Sequence, residues 1–86
     1  MKKILLLGSG ELGKELTISL KRIGCHVISC DAYENAPAMQ VSDQSVVFNM
    51  LDGNKLNEVI KTHKTDFIVP EVEAIETHVL IAAEKN

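Results

Sequence analysis

An apolar segment that runs directly into a glycine-rich turn constrains this sequence more than any other feature. Residues 3–7 (Lys-Ile-Leu-Leu-Leu) have the composition of a buried strand, and the pattern Gly8-x-Gly10-x-x-Gly13 follows at once. The first glycine allows a tight turn, the second lets a ligand approach the backbone, and the third lets the next helix pack close to the strand. The sequence therefore predicts a strand, a loop that faces a ligand crevice, and a helix.

One residue of this loop argues against a simple dinucleotide site. Glu11 lies where the diphosphate of a dinucleotide would lie, and its carboxylate repels phosphate but accepts hydrogen bonds from an amine or a sugar hydroxyl. The N–H groups at the start of the helix still face the crevice and attract polar ligands. We therefore predict ligand contacts at Glu11 and along the backbone of Gly10 and Gly13. The alternative is a tight turn that holds no ligand.

Strand-like and helix-like segments alternate along the rest of the chain. Helical spacing predicts a helix over residues 11–23, with Leu12, Leu16, Leu20 and Ile23 on its inner face. The other predicted elements are strands over 26–30, 45–48 and 66–69, an irregular segment over 32–42, a helix over 55–63 capped by the turn at 52–54, and a helix over 72–84. This order predicts a Rossmann-like α/β domain of three layers, with a parallel sheet of about four strands in the order 3-2-1-4.

Length and charge narrow the class of protein. The chain has 86 residues, which is at most one small domain, and its two phenylalanines and one tyrosine leave the core to aliphatic side chains. The formal net charge is −3 and the lysines and arginines form no stripe, so we expect no nucleic-acid partner. No apolar segment approaches transmembrane length, so we expect no membrane partner.

The two cysteines indicate a reducing compartment. If residues 26–30 form a strand, Cys25 and Cys30 lie roughly 16 Å apart at about 3.3 Å per residue. A disulfide needs Cα atoms within about 7 Å of each other. We therefore expect two free thiols, which fits a cytoplasmic location.

Acidic residues follow two of the predicted strands. Asp31 follows the second strand, 18 residues after Gly13. In dinucleotide-binding enzymes an acidic residue near this spacing binds the adenosine ribose, so an NAD-type module is an alternative function, and a simple turn residue is the other interpretation. Glu71 follows the fourth strand, beside the first, and is expected to face the same crevice as Glu11. Two carboxylates at one crevice suit a ligand with amine or hydroxyl donors.

Other titratable residues are interpreted as structural. Glu73 and Glu76 lie in the first turn of the last predicted helix, where acidic side chains favour the helix dipole. The three histidines, which have no metal-ligand spacing with each other or with the cysteines, are His26, His63 and His78. We therefore predict structural or surface roles for them, no metal site and no catalytic residue.

Four blocks of this sequence together resemble the N-terminus of the formate-dependent phosphoribosylglycinamide formyltransferases. The first is the glycine loop with its flanks, residues 6–15. The others are Asp-Ala-Tyr-Glu-Asn-Ala-Pro-Ala-Met at 31–39, Asn-Met-Leu-Asp-Gly at 49–53 and Ile-Val-Pro-Glu-Val-Glu-Ala-Ile at 68–75. The blocks occur in the order and at the spacing of that family and span nearly the whole chain.

The resemblance implies an ATP-grasp enzyme of purine biosynthesis. Such an enzyme uses ATP and Mg²⁺ to activate formate as formyl phosphate, and the amine of glycinamide ribonucleotide then attacks it. By the same resemblance, the substrate contacts of this domain fall on Glu11, Leu12 and Glu71. Leu12 would contribute through its backbone.

The resemblance also implies that this chain corresponds to one domain of a larger enzyme. The enzymes of the family are several times longer, and their ATP-grasp and C-terminal domains have no counterpart in residues 1–86. We expect the chain alone to be a non-catalytic half-site that binds glycinamide ribonucleotide weakly and needs no cofactor. A further alternative is a ligand-free fragment that self-associates through a bare sheet edge or through the surfaces that face the missing domains.

Overall fold

The computed structural model of the chain describes residues 1–70. Its elements are β1 (Lys3–Leu7), α1 (Glu11–Arg22), β2 (His26–Asp31), a short 3₁₀ helix (Pro37–Gln40), β3 (Gln44–Val47), α2 (Gly53–His63) and β4 (Phe67–Pro70). Each lies within about two residues of its predicted bounds, and the 3₁₀ helix falls in the segment predicted to be irregular. The predicted helix over 72–84 lies outside the described residues, as do Glu71, Glu73, Glu76 and His78.

The sheet has the predicted strand order. Its four strands are parallel and lie in the order β3-β2-β1-β4. The central strand β1 pairs with β2 and β4, and Leu7 at its end lies beside Cys30 and Pro70. The predicted α/β architecture is therefore confirmed, and the carboxyl ends of three strands meet at the start of the glycine loop.

The two faces of the sheet bury separate aliphatic clusters, because successive side chains of a strand point to opposite faces. On one face, Leu5 and Leu7 pack with Leu56 of α2, and Val59 and Ile60 pack against this cluster. On the other face, Ile4, Leu6 and Val27 pack with Ala38 of the 3₁₀ helix, and Leu20 of α1 packs against them. The helices therefore cover opposite faces of the sheet, and the three layers are those predicted.

The prediction of which residues of α1 face the sheet is mostly wrong. Leu12 and Ile23 are each 77% exposed and Leu16 is 37% exposed, whereas the helix buries Gly13 and Thr17. A small residue at position 13 brings the helix backbone close to the sheet, so the contact runs through Gly13, Thr17 and Leu20. The stripe of Leu12, Leu16 and Ile23 is rotated away from this contact along the same helix.

The start of α2 is fixed by a side-chain cap. The Asp52 carboxylate accepts hydrogen bonds from the N–H groups of Asn54 and Lys55, at 3.0 and 3.2 Å. These are two of the donors that the first turn of a helix leaves without a partner. The cap predicted at residues 52–54 is confirmed, and the helix begins at Gly53, slightly earlier than predicted.

Both cysteines are free thiols, as predicted. Burial, with a smaller contribution from the neighbouring Asp31 carboxylate, raises the pKa of Cys30 to about 12. Because the thiolate is the reactive form of cysteine, Cys30 behaves as a small apolar core residue. Neither helix within residues 1–70 has the length and apolar content that crossing a membrane requires.

A polar cluster at the amino edge of the sheet joins the end of α1 to the starts of β2 and β3. The Asp43 carboxylate accepts a hydrogen bond from Lys21 Nζ and another from the Val27 N–H at 2.8 Å, and His26 Nδ1 lies 3.9 Å from it. His26 also contacts Gln44 Oε1 through Nε2, at 3.1 Å. His26 thus takes part in a polar cluster between elements, which fits the structural or surface role predicted for it.

We expect the same substitution to destabilise the fold at one isoleucine and to have almost no effect at another. Ile28→Ala, in the core, should lower the free energy of unfolding by about 2–5 kcal/mol. Ile23→Ala, on the exposed stripe of α1, should change it by no more than about 0.5 kcal/mol. Urea unfolding of both variants measures the difference, and equal losses would contradict the packing of α1 given above.

The Asp43 cluster makes stability depend on pH. The hydrogen bond from Lys21 and that from the Val27 N–H hold the pKa of Asp43 below its usual range. Such a group stabilises the fold above its unfolded pKa of about 3.9, and its contribution is lost as the pH falls through the folded pKa. Asp43→Asn should therefore unfold more easily than wild type at neutral pH, and the gap should close below about pH 4. Urea unfolding measures the difference in stability between the two proteins from neutral pH to below about pH 4. A difference that stays constant over this range would contradict the stabilising role of the Asp43 carboxylate.

Candidate functional site

The candidate site lies where β1 ends and the chain turns into α1. Gly8 adopts a φ of 98°, a conformation that favours glycine, and its N–H donates to the carbonyl of Cys30 at 2.9 Å. Gly10 is the residue before the first turn of α1, and the helix begins at Glu11 with no side-chain cap. The tight turn predicted at Gly8 and the close packing predicted at Gly13 are both confirmed, since Gly13 is buried.

Ser9 is the anchor of this loop. It is fully buried, and each of its polar groups is bonded within the protein. Its N–H donates to Asp31 Oδ2 at 2.8 Å, its hydroxyl donates to the Cys30 carbonyl at 2.8 Å, and its carbonyl accepts the Ala38 N–H at 2.9 Å. The loop is therefore tied at one residue to the end of β2 and to the 3₁₀ helix.

Asp31 points toward the glycine loop. Its Oδ2 accepts the Ser9 N–H, and its Oδ1 accepts the Ala32 N–H at 2.7 Å. In a dinucleotide-binding domain the acidic residue at this place binds ribose hydroxyls instead. The geometry thus favours a structural role for Asp31 within the loop over the NAD-type interpretation of its spacing.

The predicted ligand-binding residues differ in exposure. Glu11 is exposed, and Leu12 presents its side chain to solvent while its backbone lies in the first turn of α1. The first N–H groups of a helix have no acceptor within the helix, so this turn offers donors next to the Glu11 carboxylate. Gly10 lies between Ser9 and this turn, half-buried.

Glu71 lies outside the described residues, so its predicted position facing Glu11 stays a prediction. The residue before it, Pro70, is the last residue of β4 and lies beside Leu7 in the parallel register. The chain therefore leaves β4 at the edge of the sheet where the glycine loop begins.

Sequence reasoning missed two residues of the loop. It gave no role to Ser9, whose three bonded groups anchor the turn, or to Ala38, whose N–H reaches it from the 3₁₀ helix. The variable positions of a glycine motif carry no periodic signal. The only indication was that Ser9 and Ala38 each lie in a block of the family resemblance, residues 6–15 and 31–39.

The described residues offer no metal centre beside the glycine loop. Residues 1–70 hold no cluster of three or more histidine, cysteine or acidic side chains that could bind a metal ion. His63 lies in the last turn of α2, at the edge of the sheet away from the loop. Within this part of the chain, the arrangement is suited to binding a polar ligand by backbone donors and the Glu11 carboxylate.

Comparisons with known proteins show which proteins this chain is similar to. The model of the ribonucleotide synthetase preATP-grasp domain family matches residues 1–86. A formate-dependent phosphoribosylglycinamide formyltransferase from Bacteroides thetaiotaomicron is 62% identical over 86 residues, which are 100% of this chain and 22% of that protein. The chain therefore spans about a fifth of the length of the curated relative.

Two solved structures share the fold. Glycinamide-RNase-transformylase T from Mycobacterium tuberculosis matches with a TM-score of 0.94 and 40% identity over 98% of this chain and 24% of that one. N5-carboxyaminoimidazole synthase from Aspergillus clavatus, solved with ADP and 5-aminoimidazole ribonucleotide, matches with a TM-score of 0.81 and 30% identity over 98% of this chain and 22% of that one.

Two buried serines give a matched test of the loop anchor. Ser9 is hydrogen-bonded through its hydroxyl, whereas the Ser29 hydroxyl is buried on β2 with no partner among the described residues. We expect Ser9→Ala to lower the free energy of unfolding by about 1 kcal/mol. Ser29→Ala removes an unpaired buried hydroxyl and should leave stability unchanged or raise it. Urea unfolding compares them, and an equal loss at both positions would contradict the role of Ser9.

Proposed function

Because this chain belongs to the family of ribonucleotide synthetase preATP-grasp domains, we propose that it is the N-terminal substrate-binding domain of a formate-dependent phosphoribosylglycinamide formyltransferase. The observation that carries the proposal is the pairing of an anchored glycine loop with an exposed carboxylate at Glu11. The curated relative that is 62% identical over the whole chain bears that name. The substrate would be glycinamide ribonucleotide, which has an amine and ribose hydroxyls to offer.

The binding residues would be Glu11, Leu12 and Glu71. Glu11 would accept a hydrogen bond from the amine or from a ribose hydroxyl, and Leu12 would donate its backbone N–H from the first turn of α1. Glu71 would add a second carboxylate, since the chain leaves β4 beside Leu7. Gly10 would let the ligand approach the backbone, and Gly10 and Gly13 would be further loop contacts.

The reaction would belong to the whole enzyme. There, ATP and Mg²⁺ would activate formate, and the amine of glycinamide ribonucleotide would attack the resulting formyl phosphate. The enzyme would act in purine biosynthesis in the cytoplasm. Residues 1–70 would supply one side of the substrate site, and we expect this chain alone to be non-catalytic.

Two alternatives predict different behaviour. An NAD-type module would require Asp31 to turn to a ribose, whereas its carboxylate already accepts two backbone N–H groups. A self-associating fragment would pair through the edge of the sheet, where β4 has a neighbour on one side only among the described strands. Light scattering at high concentration tests the second alternative.

We expect the 86-residue chain to bind glycinamide ribonucleotide with a dissociation constant on the order of 1 mM, the strength typical of a few polar contacts. Glu11→Gln should weaken this binding by about tenfold, because a charge-assisted hydrogen bond contributes about 1.4 kcal/mol or more. Glu15→Gln is the matched control: it removes the same charge one helical turn further along α1 and should leave the affinity unchanged. Low-affinity calorimetry measures all three.

An equal loss of affinity in the two glutamate variants would mean that only the net charge of α1 matters. That result would contradict the proposed contact at Glu11. Binding of NAD that is tighter than binding of glycinamide ribonucleotide would overturn the proposal in favour of the dinucleotide alternative.

A further inference from the structure

We propose that Asp31 is the residue that positions the glycine loop and sets its ligand preference, by holding the Ser9 N–H and keeping anionic groups out of the turn. The inference rests on the proposed function only in naming which ligand benefits. The geometry that carries it lies within residues 8–48.

The Asp31 carboxylate points toward the glycine loop. Asp31 is half-buried, and its two oxygens accept different N–H groups, Oδ2 that of Ser9 at 2.8 Å and Oδ1 that of Ala32 at 2.7 Å. The Asp31 carbonyl also accepts the Phe48 N–H at 3.0 Å, which fixes the backbone of the residue against the chain beyond β3. The side chain is therefore aimed at the loop from a fixed base.

The contact between Asp31 and Ser9 removes one backbone donor from the loop. In a glycine turn that cradles phosphate, successive backbone N–H groups point at the anion. Here the Ser9 N–H points at the Asp31 carboxylate, and the buried Ser9 side chain is turned to the Cys30 carbonyl. A phosphate in this turn could not accept the Ser9 N–H, because the Asp31 carboxylate already accepts it. The phosphate would also lie close to that negatively charged carboxylate.

The negative charges of Asp31 and Glu11 also oppose the binding of an anion. Like charges a few ångströms apart repel, and the repulsion is stronger near a protein surface than in bulk water. Asp31 and Glu11 place two carboxylates at the same turn, one seated within it and one exposed at its rim. The turn therefore favours an amine or a hydroxyl and disfavours a diphosphate.

Two substitutions separate the positioning role from the charge. Asp31→Asn retains an amide oxygen that can accept the Ser9 N–H but removes the negative charge. Asp31→Ala removes both. Asp66→Asn is the matched control, because Asp66 Oδ2 also accepts a backbone N–H, that of Lys3 at 2.8 Å, at the opposite edge of the sheet.

The first readout is amide hydrogen exchange in the 86-residue chain. Asp31→Ala should speed the exchange of the Ser9 amide at least about tenfold more than it speeds that of Leu5, because local opening of the loop adds to any global loss of stability. Asp31→Asn should leave the Ser9 amide protected. A Ser9 amide that exchanges no faster than the core amides in Asp31→Ala would overturn the positioning role.

The second readout is a titration with inorganic pyrophosphate, followed by amide chemical shifts of residues 8–13. Asp31→Asn should bind pyrophosphate at least about tenfold more tightly than wild type and Asp66→Asn. Equal affinities in all three proteins would overturn the selectivity role, and this outcome does not depend on whether glycinamide ribonucleotide binds. If the pyrophosphate result is as expected while wild type fails to bind glycinamide ribonucleotide, the proposed function fails and the role of Asp31 stands.

Discussion

The placement of β1 at the centre of the sheet determines where the rest of the molecule lies. The strand has a parallel neighbour on each side, and its four residues from Ile4 to Leu7 are almost completely buried. A strand covered on both faces is possible only if helices pack on both faces. The glycine loop follows this strand directly, so the candidate site is formed at the carboxyl end of a strand that is paired on both sides.

The loop itself is held by hydrogen bonds. Ser9 connects it to the ends of β2 and to the 3₁₀ helix, and Asp31 supplies the acceptor for its N–H. The same acidic position that binds a sugar in dinucleotide-binding domains is here turned inward. One spacing of glycine and aspartate is therefore compatible with two uses of the acidic side chain, a contact to a bound sugar or a hydrogen bond that anchors the loop.

The sequence was sufficient to predict the strand order, both helices of residues 1–70 and the cap of α2, because each depends on local patterns and on the right-handed rule for parallel crossovers. It was insufficient for the packing of α1. Leu12, Leu16 and Ile23 repeat with helical period as well as any buried stripe, but the contact face is decided by how closely Gly13 brings the helix to the sheet. The role of Asp31 also escaped prediction, since a long-range hydrogen bond to Ser9 leaves no periodic trace.

Mapping of amide chemical shifts on the 86-residue chain during a titration with glycinamide ribonucleotide is the most direct test of the central claim, that the carboxyl edge of this sheet is a substrate half-site. A substrate half-site at this edge predicts shifts confined to residues 10–13 and Glu71, with none at the opposite ends of the strands, near Lys3, His26 and Phe67. Shifts at that opposite edge, or an unchanged spectrum at ligand concentrations on the order of 10 mM, would contradict it.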